Sequence, residues 1–246
     1  MQVSQFEIYR LCQRALEGPG APYGIDRDGA AAAVWLEARG MPGLALLAGD
    51  LARLETPNAF AGLTPRMSDA GSAELDADGR PAVAFPGAAV DFLMLLALRS
   101  SDGCGWLAIE HCRSPLFLLP AAVAAVSAEA SLRLAWGDVA AEVGPDGLSI
   151  RIAAGRSWLA ALSEAEPVTV RLAYHRSQMP AEAGVPGFEP GPTAAELTLA
   201  YDRSLQEGVN VDDSLWQRLS AVAARVQVPA SEVSRIRGAG GGDANA

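Results

Sequence analysis

The chain has 246 residues, of which 50% are hydrophobic and 20% charged, a composition typical of a folded globular protein. Its formal net charge is −10 and its basic residues occur singly, so we expect neither a nucleic-acid-binding surface nor attachment to an anionic membrane. All 19 basic residues are arginine, which rules out a lysine Schiff base and a P-loop lysine.

The N-terminal part is predicted to be helical. Residues 4–16 carry apolar side chains at i, i+3, i+4 and i+7, counted from Ile8, which indicates an amphipathic helix. A second helix is expected to start at Asp26, as its N-cap, and to stop at Gly40. Pro42 suits the first turn of a third helix.

The middle of the chain mixes loops, a strand and two helices. Residues 56–90 are rich in proline and turn signals and are predicted to be loop. A short helix over 92–98 is apolar on every side, so we expect it to be buried. Trp106 to Ile109 reads as a buried strand, followed by a helix over 115–128 that is kinked at Pro120. The tryptophans are assigned to the core: Trp35, Trp106, Trp136, Trp158 and Trp216.

From Ser131 onwards an alternation of period two indicates strands. The predicted strands cover residues 132–136, 140–143, 148–152, 168–175 and 197–201. A last helix is capped by Asp212 or Asp213.

These elements predict an α+β (irregular α/β) fold, with N-terminal helices, a mixed central sheet, C-terminal strands and a closing helix. We expect one compact domain over residues 1–246, with a separate N-terminal helical subdomain over 1–55 as the alternative. Residues 240–246 are expected to form a flexible tail. The first residues lack the features of a signal peptide and the longest apolar run is too short to span a membrane, so we predict a cytoplasmic protein.

The chain has three cysteines, Cys12, Cys104 and Cys112. Their odd number and the absence of a CxxC pair argue against a disulfide framework. Because the sequence contains two histidines, a metal cage is poorly supplied and we expect no metal site.

The first candidate site is the end of the strand over 168–175. Arg171 and His175 lie on one face of this strand and Arg176 follows. Guanidinium groups bind carboxylates and phosphates in bidentate fashion, and a histidine can act as general acid or base near neutral pH. The alternative is a solvated strand face beside a surface loop, a common arrangement.

The second candidate is Glu110-His111-Cys112-Arg113, directly after the buried strand. Ligand-binding residues often lie at such strand ends, which makes His111 and Arg113 candidate ligand-binding residues. His111 with Cys112 or Cys104 is also a candidate thiol–imidazole pair, the alternative being a buried, inert cysteine.

The third candidate is the C-terminal run that contains Ser231 and Arg235 and ends in the glycine-rich residues 238–242. Such backbone can cradle an anion. These glycines follow a helix, however, whereas those of a phosphate loop precede one, so a helix C-cap is the alternative.

Two stretches carry a family resemblance. Residues 28–54, with the alanine run 30–33 and Gly40, and the stretch from Val90 to Leu134 are similar to the malate/L-lactate dehydrogenases that lack a standard Rossmann domain. The resemblance covers residues 4–140 and implies that family's order of helices and strands. That family has a Ser-His-Gly motif where this chain has Met41-Pro42-Gly43. It has another histidine in the loop after the strand, where this chain offers His111 and then Arg113-Ser114-Pro115, so the match is off register. The resemblance therefore implies the scaffold without the hydride-transfer machinery, and no cofactor.

The C-terminal run Val228-Pro229-Ala230-Ser231-Glu232, with Arg235 and Gly238-Ala239-Gly240, resembles the closing motif of an uncharacterised family of bacterial proteins. This second resemblance implies no chemistry.

Three functional hypotheses follow. The first is a catalytically divergent relative of the dehydrogenases that binds a small anionic metabolite or acts as an accessory subunit in a homo- or hetero-oligomer. The second is a small-molecule enzyme of another type that uses Arg171, His175 and Arg176. The third is a structural protein that docks to a partner through the segment from Ser231 onwards.

Overall fold

A computed structural model describes residues 1–163, 166–177 and 187–226, and it has the predicted α+β architecture. Its strands are β1 (Gln2–Val3), β2 (Arg66–Met67), β3 (Ser72–Asp76), β4 (Cys104–Cys112), β5 (Ser131–Trp136), β6 (Val139–Gly144), β7 (Gly147–Ala153), β8 (Val168–His175), β9 (Phe188–Pro190) and β10 (Val209–Asn210). Its α-helices are α1 (Gln5–Glu17), α2 (Ile25–Glu37), α3 (Gly43–Leu54), α4 (Pro86–Arg99), α5 (Leu118–Ala125), α6 (Trp158–Leu162), α7 (Ala194–Glu207) and α8 (Asp213–Ala223).

The central sheet has eight strands in the order β2-β3-β4-β8-β5-β6-β7-β9. Strands β3 and β4 run parallel, and every other neighbouring pair is antiparallel. Strands β1 and β10 form a separate antiparallel pair that joins the N-terminus to the segment between α7 and α8. The sheet is therefore mixed, as the sequence predicts.

The two faces of the sheet differ in their surroundings. Leu107, Leu134 and Leu172 are at most 2% exposed and lie on the face that helix α4 covers near β4 and β8. Because side chains alternate along a strand, their neighbours Ala135 and Arg171 point the other way, and both are exposed. The sheet thus has one buried face and one open face.

The N-terminal helices form as predicted, apart from the bounds of α2, which ends at Glu37, and the place of Pro42, which is the N-cap of α3 and not part of its first turn. Helix α1 opens with a capping box in which Ser4 and Glu7 bond to each other's backbone N–H groups. Helix α2 begins at Ile25 with Gly24 as its N-cap, so Asp26 is not the cap. The Asp26 carboxylate is buried and accepts hydrogen bonds from Gln13 Nε2 and the Gly24 N–H, each at 2.8 Å.

The predicted strand over 197–201 is wrong, because these residues lie in helix α7. Thr193 caps this helix, and Glu196 returns a bond to the Thr193 N–H at 2.8 Å. The apparent period of two arises from leucines at 197 and 199, of which Leu199 is 59% exposed and packs on no sheet.

Four predictions for the middle of the chain also need correction. Helix α4 is not buried on every side, because Leu98 is 63% exposed on the flank turned away from the sheet. Trp106 is 53% exposed rather than in the core. The predicted loop over 56–90 contains β3, which pairs with β4. Pro120 lies in the first turn of α5, where its missing N–H breaks no helical bond, so it marks the start of the helix and not a kink.

Across the described ranges, none of the helices has the length and apolar character required to cross a lipid bilayer.

Candidate functional site

The candidate residues with described positions fall into three groups around β4 and β8. Arg171 lies on the open face of the sheet, His175 and Arg176 at one end of β8, and His111 and Arg113 at the opposite end of β4. Ser231 and Arg235 lie outside the described residues.

A row of cross-strand neighbours runs over the open face and carries two arginines. We call it the arginine row. Its members, from β4 to β9, are Ala108, Arg171, Ala135, Ala140, Arg151 and Pro190. Three strand spacings separate the backbones of Arg171 and Arg151, about 14 Å. The two residues between them, Ala135 and Ala140, have short side chains. Both arginine side chains can therefore extend towards each other across the surface of the sheet.

The arginine row borders a hollow of about 330 Å³ on the open face. Within the described part of the chain, Arg151 and Arg171 have no carboxylate or other hydrogen-bond partner. Among the described residues, the charged lining consists of these two arginines, Arg133 and Glu142, whose formal charges sum to +2. The hollow is thus a local cationic site on a chain of net charge −10.

The neighbouring row supplies the wall of the same hollow. It consists of Trp106, Ala173, Arg133, Glu142 and Ser149. Arg133 Nε lies 3.4 Å from Glu142 Oε2, so this pair is internally balanced. Trp106 presents a half-exposed indole ring beside the free guanidinium of Arg171.

His175 lies on the same face as Arg171, four residues and about 13 Å further along β8. It does not line the hollow. Its Nδ1 lies 3.1 Å from Cys104 Sγ on the adjacent strand, and its ring meets Trp106 edge to face with centroids 6.1 Å apart. The Arg176 N–H donates to the Gly103 carbonyl at 3.2 Å, so Arg176 flanks the thiol–imidazole pair and not the hollow.

His111 is exposed at the far end of β4. Its Nδ1 lies 3.0 Å from Asp76 Oδ1 on β3. This hydrogen bond, and then the charge of Asp76, raise the pKa of His111 above its ordinary value. His111 therefore serves a surface ion pair, and the thiol–imidazole pairs predicted for it do not form.

Cys104 Sγ lies within hydrogen-bond distance of His175 instead, and Cys112 is buried. Burial, reinforced by the nearby charge of Asp50, raises the pKa of the Cys112 thiol well above the physiological range. Cys112 accordingly fits the alternative of a buried, inert cysteine.

Arg113 turns inwards directly after β4. His111 and Ser114, on either side of it, both have left-handed backbones, with φ of 51° and 46°. Arg113 Nε lies 4.0 Å from Asp50 Oδ1 of α3, and the Asp50 side chain is 2% exposed. The first place at which the dehydrogenase resemblance implies a histidine thus holds Pro42. In the second loop His111, off register, is exposed beside Asp76, and Arg113 turns towards Asp50.

No group of three or more histidine, cysteine, aspartate or glutamate side chains in the described ranges is arranged to hold a metal ion. A mostly apolar cavity of about 360 Å³ lies beside the N-terminal end of α4 and has Asp28 as its charged lining residue among the described residues. An anion would be repelled there, which leaves the arginine row as the better anion site.

Residues 3–85 match the model of a family described as "Protein of unknown function (DUF3726)". This match confirms a resemblance to an uncharacterised family, although it lies at the N-terminus. The C-terminal run on which the prediction was based lies outside the described residues. No curated protein matches the chain.

Solved structures confirm the predicted resemblance to malate/lactate-type dehydrogenases at the level of fold. The chain is similar to a dehydrogenase from Sinorhizobium meliloti, with a TM-score of 0.63 and 13% identity over 91% of this chain and 99% of that one. It is similar to malate dehydrogenase from Pyrococcus horikoshii OT3, with a TM-score of 0.64 and 12% identity over 93% and 96% of the two chains. It is also similar to a malate/lactate dehydrogenase-like protein from E. coli, with a TM-score of 0.65 and 9% identity over 93% and 96%.

Proposed function

We propose that this chain is a catalytically divergent relative of the malate/lactate-type dehydrogenases that binds a small anionic metabolite at the arginine row. The observation that carries the proposal is the pair of unpartnered guanidiniums, Arg151 and Arg171, facing each other across a floor of alanines. A carboxylate or phosphate group would satisfy both, because a guanidinium offers a planar fork of donors to two oxygens.

The charge distribution supports this site. An acidic chain repels anions in general, so a small anion is retained only where cations outnumber carboxylates. The hollow meets this condition, and its volume of about 330 Å³ is within the usual range for small-molecule sites. Trp106 adds an apolar wall for the uncharged part of the ligand.

Binding is expected to depend on both arginines. Calorimetric titrations at constant ionic strength with citrate, 2-oxoglutarate and inorganic phosphate should find at least one probe that binds. Arg171→Ala and Arg151→Ala should each weaken that binding roughly 10- to 100-fold, since a hydrogen bond to a charged group contributes about 1.5–3 kcal/mol.

Arg203→Ala is the matched control, because Arg203 is exposed on α7 and lies outside the hollow. It should leave the affinity unchanged. Absence of binding by every probe, or equal affinity in wild type and both arginine variants, would contradict the proposed site.

Hydride transfer is expected to be absent. Pro42 stands where the resemblance implies the first histidine, and His111, in the second loop, is off register and bonded to Asp76, so neither implied position carries an imidazole. NADH oxidation with a panel of 2-oxo acids should not exceed the rate without protein. Robust turnover would contradict the proposed loss of dehydrogenase activity. Anion binding at the arginine row would still be tested separately, by the titrations.

The second hypothesis, an enzyme built on Arg171, His175 and Arg176, has less support, because these three side chains do not share one cavity. The third, docking through the segment from Ser231, concerns residues outside the described part of the chain.

A further inference from the structure

We propose that Cys104 is a nucleophilic thiol, with His175 as its base, that undergoes exchange with a small disulfide to give a stable mixed disulfide on the protein. The proposal rests on the contact between Cys104 Sγ and His175 Nδ1, 3.1 Å apart on adjacent strands. It is independent of anion binding at the arginine row.

The imidazole is held in place from two sides. Trp106 contacts the His175 ring edge to face, and the antiparallel register places Cys104 and Ser131 opposite His175 on its two neighbouring strands. A base fixed within hydrogen-bond distance of a thiol is the arrangement that activates cysteine nucleophiles.

The turn before β4 leaves the thiol accessible. Gly103 has a left-handed backbone, φ 71°, and the Asp102 carboxylate accepts from the Cys104 N–H at 2.9 Å. Cys104 is partly exposed, whereas Cys12 and Cys112 are fully buried. A reagent in solution can therefore reach one of the three thiols.

Partial burial, and then the charge of Asp102, raise the pKa of Cys104. The thiol is therefore protonated at rest, and the reaction needs a base at the moment of attack. Among the residues that the structure describes, the charged groups beside the pair are Asp102 in the preceding turn and Arg176 next to His175. The facing residue of β5, Ser131, is uncharged.

The exchange balances without a further reagent. His175 Nδ1 takes the thiol proton as Cys104 Sγ attacks one sulfur of the disulfide. The protein–sulfur bond forms, the original S–S bond breaks, and the imidazolium returns the proton to the departing thiolate. The products are one mixed disulfide and one free small thiol.

The adduct should persist, because no second thiol is placed to displace it. Cys112 lies eight residues further along β4, about 26 Å away, far beyond the Cα separation that a disulfide allows. Cys12 is buried in α1, and burial raises its pKa well above the physiological range. Release therefore requires an external thiol.

The test is the reaction of the native protein with the aromatic disulfide 5,5′-dithiobis(2-nitrobenzoate), followed by absorbance and peptide mass mapping. We expect one fast thiol, mapped to Cys104, which Cys104→Ser removes. His175→Gln should slow the fast phase by roughly 100-fold or more, the usual contribution of a positioned base. The control His111→Gln, at the far end of β4, should leave the rate unchanged.

The pH profile separates a base from a merely structural histidine. The rate of the fast phase should depend on pH differently in wild type and in His175→Gln, because the variant lacks the base that takes the thiol proton. Circular dichroism establishes that the variants are folded. The fast reaction of the native protein, and its mapping to Cys104, are measured on wild type alone. A native protein without a fast thiol, a fast phase that survives Cys104→Ser, or pH profiles of the same shape in wild type and His175→Gln would each overturn the proposal.

Discussion

Gly105→Ala is expected to destabilise the protein by about 3 kcal/mol or more, at the upper end of what one added methyl group causes in a packed core. A Cβ at this position would lie 2.4 Å from the Leu93 carbonyl oxygen and 2.9 Å from the Ala97 amide nitrogen. Both atoms belong to the backbone of α4, so no side-chain rotation relieves the contact. Helix and strand would have to move apart, and the apolar contacts on both sides of Gly105 would loosen.

The measurement is urea or thermal unfolding, with a loss in melting temperature of roughly 6–12 °C. Gly144→Ala is the matched control, because a Cβ there meets nothing within 4 Å and the backbone is not left-handed. It should change stability by less than about 0.5 kcal/mol. A Gly105→Ala protein that melts with wild type would show that α4 does not pack this closely on β4.

The position of Gly105 also links the fold to the proposed thiol site. It lies between Cys104 and Trp106, whose side chains point to the open face while Gly105 points to α4. Any shift of β4 that accommodates a methyl group would move Cys104 relative to His175. The fast thiol phase should therefore weaken in Gly105→Ala even where the protein remains folded.

The sequence predicts local structure well where one face is clearly apolar. The alternation over 168–175 correctly places Arg171 on the solvent side of β8, between the buried Val170 and Leu172. The same inference from alternation fails for α7, where leucines two positions apart give the pattern expected of a strand. The Thr193–Glu196 capping box, visible in the sequence, is the signal that would have identified the helix.

The sites depend on contacts that no local pattern encodes. Cys104 and His175 are 71 positions apart, and only the antiparallel register of β4 and β8 brings them together. Strand β3 has five residues, and its place in the sheet comes from pairing with β4. Arg151 becomes a partner for Arg171 through two intervening strands, so a search for neighbouring charges in the sequence does not find it.

The difference in unfolding free energy between wild type and Asp50→Asn is expected to change by about 2 kcal/mol between pH 4.5 and pH 7. Burial raises the pKa of Asp50 from 3.8 to about 6. The neighbouring Ser114 hydroxyl and the charges of Arg113 and Arg53 lower it by less than burial raises it. Arg113 approaches to 4.0 Å without a hydrogen bond, and Asp50 Oδ2 has no partner in the described part of the chain.

The direction in which stability changes with pH follows from the number of protons that the folded and unfolded states bind. Between pH 3.8 and about 6 the folded protein holds the Asp50 proton while the unfolded chain has released it, so this residue's contribution to stability falls as the pH rises through that window. Asparagine has the same shape and does not titrate. The variant should therefore become more stable relative to wild type as the pH is raised. Arg113 keeps a second carboxylate, Glu166, whose Oε2 lies 3.7 Å from Arg113 Nη1, so the loss of the Asp50 partner is a constant that should not alter that slope.

Asp212→Asn supplies a control of opposite sign. Asp212 caps α8, and hydrogen bonds from the Ser214 hydroxyl and the Leu215 and Ser214 N–H groups lower its pKa, so its contribution is lost as the pH falls. Asparagine caps helices nearly as well, which keeps the comparison local. Urea unfolding of the three proteins across pH 4.5–7 gives both slopes under the same conditions. A wild-type minus Asp50→Asn difference that stays constant with pH would mean that the Asp50 carboxylate is ionised throughout, which requires a much closer ion pair with Arg113 than 4.0 Å.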